Sequence, residues 1–323
     1  MDAARVVVVG SYNQDYAWRI DVAPHAGETR RGDSFLSAPG GKGMNQAIAC
    51  ARQGVPTAFV GALGDDAAGR GARELAKAEG IDAHWLARDD AATGSACIVV
   101  EGSGQNRIIV ALGANERLDA GFVRAQADTF ARSRVLLAQL ENNIDATRAA
   151  FELATAHRLV RVLNPAPVHA QLDAALLANV DILTPNETEF ALLLERIAGE
   201  RVDAASLAQR SDDELHALAR KLGVASVVLT LGAQGCFVSH GEDDLRGDAS
   251  THYRVGAQAV DAIDTTGAGD AFSGAIAAGL LRFADRPFRD IVVHANRCAA
   301  LSTEQRGAAD AMPDFEAVIA RFG

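Results

Sequence analysis

The chain has 323 residues, 49% of them apolar and 23% charged, and carries a formal net charge of −11. That length buries a sizeable core as one large α/β domain with an appendage or as two modest domains, and the acidic balance argues against a nucleic-acid or anionic-membrane partner. Cys50, Cys97, Cys236 and Cys298 lie far apart without the Cys/His spacing of a zinc site, so they read as reduced core thiols.

Met1-Asp2-Ala3-Ala4-Arg5 leads into a short apolar run, Val6–Val9, which reads as a first strand and not as a signal peptide. Further strand-like runs follow at Ala58–Val60, Val135–Ala138, Val160–Leu163, Val180–Leu183 and Val227–Leu229. Helical patterns lie between several of them, at Asn45–Gln53, Gly69–Ala78, Asp145–His157, Glu187–Ile197 and Asp212–Leu222. Fully apolar strands alternating with helices predict a mostly parallel sheet covered on both faces. Two segments break the rhythm, Tyr16 to Leu36 and Ser95 to Val110, the second with a turn at Gly102–Asn106 between two apolar runs. They predict a small β layer serving as a lid, within inserted segments of about 14–38 and 94–111, or else surface hairpins. No apolar run approaches the roughly 20 residues of a membrane span, and the expected location is cytoplasmic.

The most informative motif is Asp264-Thr265-Thr266-Gly267-Ala268-Gly269-Asp270, which runs directly into an apolar helical segment. Small residues at a helix start leave N–H groups unpaired at the positive end of the dipole, an anion site with Asp270 at its mouth. A carboxylate beside a phosphate cradle fits a base that activates a hydroxyl for phosphoryl transfer, though a plain Asp-capped turn has the same spelling. Gly40-Gly41-Lys42-Gly43-Met44-Asn45 is a second glycine-rich turn opening a helix. It lacks the Walker A spacing, and Lys42 and Asn45 offer donors to hydroxyls or phosphates. Asn13 and Asp15 follow the first strand and together offer a donor and an acceptor to adjacent hydroxyls, or form a loop Asx turn; Glu141 follows the strand ending at Ala138. Asn186 and Glu189 share the first turn of a helix, where they either cap it or hold a hydrated Mg²⁺, or do both. Thr230, Gly232 and Gly235 form a small-residue loop with room for a nucleotide above it. One cleft at the carboxyl edge of the sheet accounts for all of these at once.

These motifs, together with Gly113-Ala114-Asn115, Gln139-Leu140-Glu141 and Asn164-Pro165-Ala166-Pro167, resemble the ribokinase-like sugar kinases of the phosphofructokinase-B type along nearly the whole chain. The resemblance implies a three-layer α/β/α sandwich with a mostly parallel central sheet, and a β lid through which two copies form a homodimer. It implies an ATP-dependent kinase acting on the 5-hydroxyl of D-ribose, with another small sugar (deoxyribose, fructose) or a nucleoside as the alternative acceptor. Carried over, Asp270 is the base and Gly267, Ala268 and Gly269 complete the anion hole with it. Asn13, Asp15, Gly41, Lys42, Asn45, Glu141 and Asp270 hold the sugar. Asn186, Glu189, Thr230, Gly232, Gly235, Gly269 and Asn296 hold the nucleotide, Asn186 and Glu189 also serving Mg²⁺ mainly through water. Asp264, Thr266, Ser302, Gln305 and Gly307 match a K⁺ loop, from which the chain departs by placing Ala311 where a hydroxyl residue is usual. A dinucleotide oxidoreductase is excluded because the third glycine of its motif would fall at Phe272. A silent sugar-binding regulator would have no need of Asp270.

Overall fold

The computed structural model describes residues 4–103 and 105–323; Met1, Asp2, Ala3 and Gly104 lie outside the described residues, and with them part of the segment before Val6 and of the Gly102–Asn106 turn. Thirteen strands occur among the described residues. The larger sheet holds β1 (Arg5–Val9), β4 (Thr57–Gly64), β5 (Asp82–Arg88), β8 (Ser133–Ala138), β9 (Val160–Leu163), β10 (Ile182–Leu183), β11 (Ser226–Thr230), β12 (Cys236–His240) and β13 (His252–Val255). Its order is β13-β12-β11-β10-β9-β8-β1-β4-β5, with every pair parallel from β11 through to β5 and the last two strands antiparallel.

β1 shows why this sheet is a central layer. Val6 and Val8 pack into the apolar cluster of one face, Val7 and Val9 into that of the other, and all four are fully buried. Each such side chain contributes about 1.5–3 kcal/mol of burial. Helices Lys42–Arg52, Ala268–Arg282 and Phe288–Ser302 cover one face, and Ile144–Ala156, Glu187–Leu193 and Asp212–Arg220 the other. The chain leaves β1 for β4 on one side and later reaches β8 on the other, so β1 and β8 flank the topological switch point, where open α/β sheets bind ligands.

The two inserted segments form a second sheet, order β3-β2-β6-β7, from β2 (Asn13–Ile20), β3 (Ser34–Gly40), β6 (Gly94–Glu101) and β7 (Asn106–Ala111). β2 pairs antiparallel with β3 and parallel with β6, and a single rung, Gly40–Asn13–Gly94, lies where all three strands join the body. Glycine is required there by close approach: a Cβ on Gly94 would fall 2.3 Å from the side chains of both Asn13 and Asn115.

Some elements differ from their sequence reading. The first helix begins at Lys42, three residues early, because Gly41 turns the chain at φ 88° and its Cβ would lie 2.5 Å from the Asn13 nitrogen. The strand expected from Val180 keeps only Ile182 and Leu183, since the Val180 N–H closes a turn onto the Leu177 carbonyl. The helix expected to run to Ile197 widens into a π-turn after Leu193 and stops at Gly199, φ 68°.

Candidate active site

Five adjacent parallel strands open onto one cleft. β1 runs into Ser11 and Asn13, β8 into Gln139 and Glu141, β9 into Asn164 and β10 into Thr184 and Asn186, while β11 ends at Thr230. Facing them is the helix Ala268–Arg282, whose first turn carries Asp270, only 6% exposed. Gly267 caps this helix in the left-handed region (φ 79°) with no side chain bonded to the helix start, and both it and Gly269 line the cleft. The Ala268 N–H, expected in the anion hole, instead closes a turn onto the Thr265 carbonyl at 3.2 Å, so the first-turn amides left for a ligand are those of Gly269 and Asp270. Gly267 also rests on Ala308, where a Cβ would approach within 2.9 Å.

The Asp270 carboxylate accepts two amide bonds, from Asn45 Nδ2 and Gln46 Nε2, both at 2.9 Å. Neighbouring residues of one helix reach it because Gly274 lets the two helices touch; a Cβ there would lie 2.5 Å from the Ala49 Cβ. The Asn45 Oδ1 is buried without a partner in the protein, an acceptor left for a ligand hydroxyl.

On the lid side, Asn13 is buried and its Oδ1 accepts from Asn115 Nδ2 at 3.0 Å, which reserves its NH₂ for other partners. Asp15 lies against Gly40, where a Cβ would come within 2.2 Å of its carboxylate. Burial and the charges of Glu141 and Asp270 push the Asp15 carboxyl up to about 7, with Lys42 opposing. Glu141 commits Oε2 to Ser11 Oγ (2.7 Å) and the Lys42 N–H (3.0 Å), fixing the turn that presents Gly41.

The Lys42 side chain lines a cavity of about 160 Å³ with Asn164, Asn186, Glu189, Thr230 and Asp270. Burial works against its charge, but Asp270, Glu141, Glu189 and Asp15 outweigh it and raise its pKa. Asn186 and Glu189 form a complete capping box: Glu189 N–H donates to Asn186 Oδ1 (2.8 Å) and Asn186 N–H to Glu189 Oε2 (2.9 Å). Burial raises the Glu189 carboxyl. The cap is thus in place, with one oxygen of Glu189 free of it.

Beyond the anion-hole turn lies a cavity of about 320 Å³ walled by Ala257, Val260, Ala268 and Ala299, with Gly232 and Asn296 at its edge. Asn296 Nδ2 donates to the Gly256 carbonyl at 2.7 Å and so holds one wall. Gly235 lines neither cavity; at φ 87° it turns the chain into β12. In the second loop, Asp264 accepts from the Thr266 N–H and hydroxyl and from the Gly307 N–H, which hold its carboxyl below the usual range despite partial burial. The Thr303 carbonyl takes the N–H groups of Ile263 and Asp264, clasping the two stretches together. Ser302 Oγ donates to the Ala299 carbonyl of its own helix, and Gln305 is exposed.

A larger cavity, about 660 Å³, opens at the amino ends of β4, β8 and β9, away from all of these groups. Its volume is not matched by chemistry: apolar side chains line it, with Arg134, Arg158 and Arg282 among them and no acid, nucleophile or base among the described residues. The two smaller cavities meet at the start of the helix Ala268–Arg282, one lined by Gly267 and Gly269 and the other by Thr265 and Ala268. Sequence reasoning gave no role to Gln46, Gln139, Asn164 and Thr184, although Gln139 and Asn164 stand inside quoted motifs and Gln46 directly follows one, and it missed the alanine-rich wall, which carries no motif at all.

A profile of the pfkB family carbohydrate kinases matches residues 3–314. The ribokinase of Schizosaccharomyces pombe is 34% identical over 330 residues, covering 98% of this chain and 97% of that one. The structure of ribokinase from Giardia lamblia superposes with a TM-score of 0.87 at 28% identity over the full length of both chains. The structure of Arabidopsis thaliana ribokinase complexed with ribose and ATP does so with a TM-score of 0.81 at 27% identity, covering 98% of each. With the glycine-capped helix, the buried aspartate and the parallel sheet all in place, the chain belongs to the pfkB family of carbohydrate kinases.

Proposed function

We propose that this enzyme is a ribokinase that transfers the γ-phosphoryl group of ATP to the 5-hydroxyl of D-ribose. The observation that carries the reading is the position of Asp270, buried between a set of hydroxyl-binding polar groups and the free amides of a helix start. On its lid side, Asn13, Asp15 and Asn45 supply the donors and acceptors that a small polyol requires. On the other side, an apolar pocket fits a nucleobase, and Lys42, with the Gly267–Asp270 turn, fits the phosphates.

In the reaction, Asp270 accepts the hydroxyl proton as the hydroxyl oxygen attacks γ-phosphorus in line and the bond to the departing ADP oxygen breaks. The transition state is loose, so the proton leaves late and orientation by the carboxylate contributes more than basicity. The amides at Gly269 and Asp270 and the Lys42 ammonium meet the charge on the transferred group. The sugar set therefore divides, with the Lys42 backbone serving the turn beside the sugar and its ammonium the phosphates.

Mg²⁺ fits this site through water. No cluster of three His, Cys, Asp or Glu exists among the described residues for direct chelation, and Glu189 offers one uncommitted carboxylate oxygen beside Asn186. When bound, Mg²⁺ neutralises phosphate charge. K⁺ fits the clasped loop through backbone carbonyls around Asp264, and the contact of Gly267 with Ala308 ties that loop to the anion hole. Activity is expected to rise when K⁺ replaces Na⁺ at constant ionic strength. Ala311 is buried and lacks a hydroxyl, so Ala311→Ser is expected to lower the half-activating K⁺ concentration, read from turnover with tetramethylammonium as balancing ion. Full activity without K⁺, unaltered by Asp264→Ala, would make the loop structural only.

Trp18, Phe35, Leu36, Ile108, Ile109 and Val110 expose apolar surface on the lid sheet, which supports homodimerisation through it. No helix among the described residues is long and apolar enough to cross a membrane. A cytoplasmic location fits four unpaired thiols and the use of ATP. The reading is tested by ADP release across ribose, deoxyribose, fructose and adenosine. Ribose is expected to give the highest kcat/KM, and a preference for adenosine would replace the sugar with a nucleoside.

A further inference from the structure

Gln46 is wholly buried, lines neither cavity, and uses both ends of its amide. Its Nε2 donates to Asp270 Oδ1 at 2.9 Å and to Asn164 Oδ1 at 3.0 Å, and its Oε1 accepts from Gln139 Nε2. Asn164 in turn donates through Nδ2 to the Thr184 backbone carbonyl at 2.8 Å. A carbonyl only accepts, so this last bond sets the direction of the others. Asn164 must turn its oxygen toward Gln46, and Gln46 must turn its NH₂ toward Asp270. The second amide on Asp270 is different: Asn45 is directed only by the carboxylate that accepts from it, since its Oδ1 has no partner of its own. One oxygen of the carboxylate is thus held by a donor fixed from elsewhere and the other by a donor that the carboxylate alone directs.

The same chain of bonds crosses the cleft. Thr184 and Asn164 line the cavity with Asn186 and Glu189, and Thr184 Oγ1 lies 3.0 Å from Ser273 Oγ on the helix of Asp270. We infer that Gln46 is a positioning residue for phosphoryl transfer, clamping Asp270 through the buried Thr184–Asn164–Gln46 relay so that the base and the phosphate wall keep one geometry. The inference rests on Asp270 being the base. Misplacing a reacting group by about 1 Å costs on the order of a hundredfold in rate, and the clamp prevents that displacement.

The test is a double-mutant cycle on the full chain with ribose and ATP, folding being verified by circular dichroism. Gln46→Met keeps the length and volume but removes the donor. It is expected to lower kcat about 10- to 100-fold while KM for ribose and ATP stays within about threefold. In an Asp270→Asn background the same change is expected to lower the residual kcat by less than about twofold, because a residue that acts only through Asp270 has nothing left to position. An unchanged kcat in the first background, a loss confined to KM, or an equal factor in both backgrounds would overturn the inference. Should Gln46→Met not fold, Gln139→Met, which frees the Gln46 Oε1, runs the same cycle with a smaller loss and the same criteria. Near-normal kcat in Asp270→Asn alone would instead bring down the base assignment, and is seen before Gln46 is touched.

Discussion

Asp270→Asn is expected to lower kcat by at least about a hundredfold while the enzyme stays folded and ATP affinity is little changed. The substitution is tolerable for a reason visible in the hydrogen bonds. The new amide oxygen accepts from Gln46, which cannot turn, and the new NH₂ donates to Asn45 once that amide turns over, as its unpartnered Oδ1 permits. The turned Asn45 then offers NH₂ in place of oxygen to the sugar, so ribose affinity changes by about tenfold or less, roughly one neutral hydrogen bond. Calorimetry for both substrates alongside single-turnover kinetics separates these effects. Near wild-type kcat would remove Asp270 from the chemistry.

Asp15→Asn is expected to move function and stability in opposite directions. A hydrogen bond to a charged group is worth about 1.5–3 kcal/mol, so KM for ribose is expected to rise about 10- to 150-fold above neutral pH. Below pH 7 the wild type loses part of the same advantage, because its carboxyl, pushed up to about 7 by burial, Glu141 and Asp270, is then protonated. Stability follows the same titration with a definite sign. The folded-state value lies above the ordinary 3.8, so between about pH 4 and 7 the folded chain binds more protons than the unfolded one. Wild-type stability therefore falls as pH rises through that window, and the full loss is present above 7. Asp15→Asn removes the titrating group, and its Tm is expected to exceed that of wild type by a margin that grows from pH 5 to pH 8. A margin that shrinks with pH, or a ribose KM ratio that ignores it, would show that Asp15 is not the strained carboxylate.

Much of the fold was legible because β1, β4, β8 and β11 are apolar throughout, the mark of strands buried on both faces, and because the helices between them keep their period. β12 and β13 were not, since Ser239, His240 and His252 interrupt any apolar run and are satisfied only by tertiary partners such as Ser226, Asp248 and Asp213. In the site, residues whose backbone conformation or cap is written locally were readable: Gly41, Gly267, and Asn186 with Glu189. The role of Gln46 was not, because its partners stand 93, 118 and 224 positions away and an amide's direction is decided by the last acceptor in the relay. The alanine wall was equally silent, because an apolar surface acquires meaning only when folding makes it concave.

The rung Gly40–Asn13–Gly94 gives the lid an axle. Three of the four strand ends that connect the small sheet to the body meet in it, the fourth being the end of β7 at Ala111 one rung away, and the residue at its centre is the Asn13 of the proposed sugar site. Rotation of the lid must twist this rung, and twisting it displaces Asn13 relative to Asn45 and Asp270, which belong to the body. On the proposed sugar site, occupancy and closure would be one coordinate: a sugar bridging Asn13 and Asn45 would span this junction and pin it.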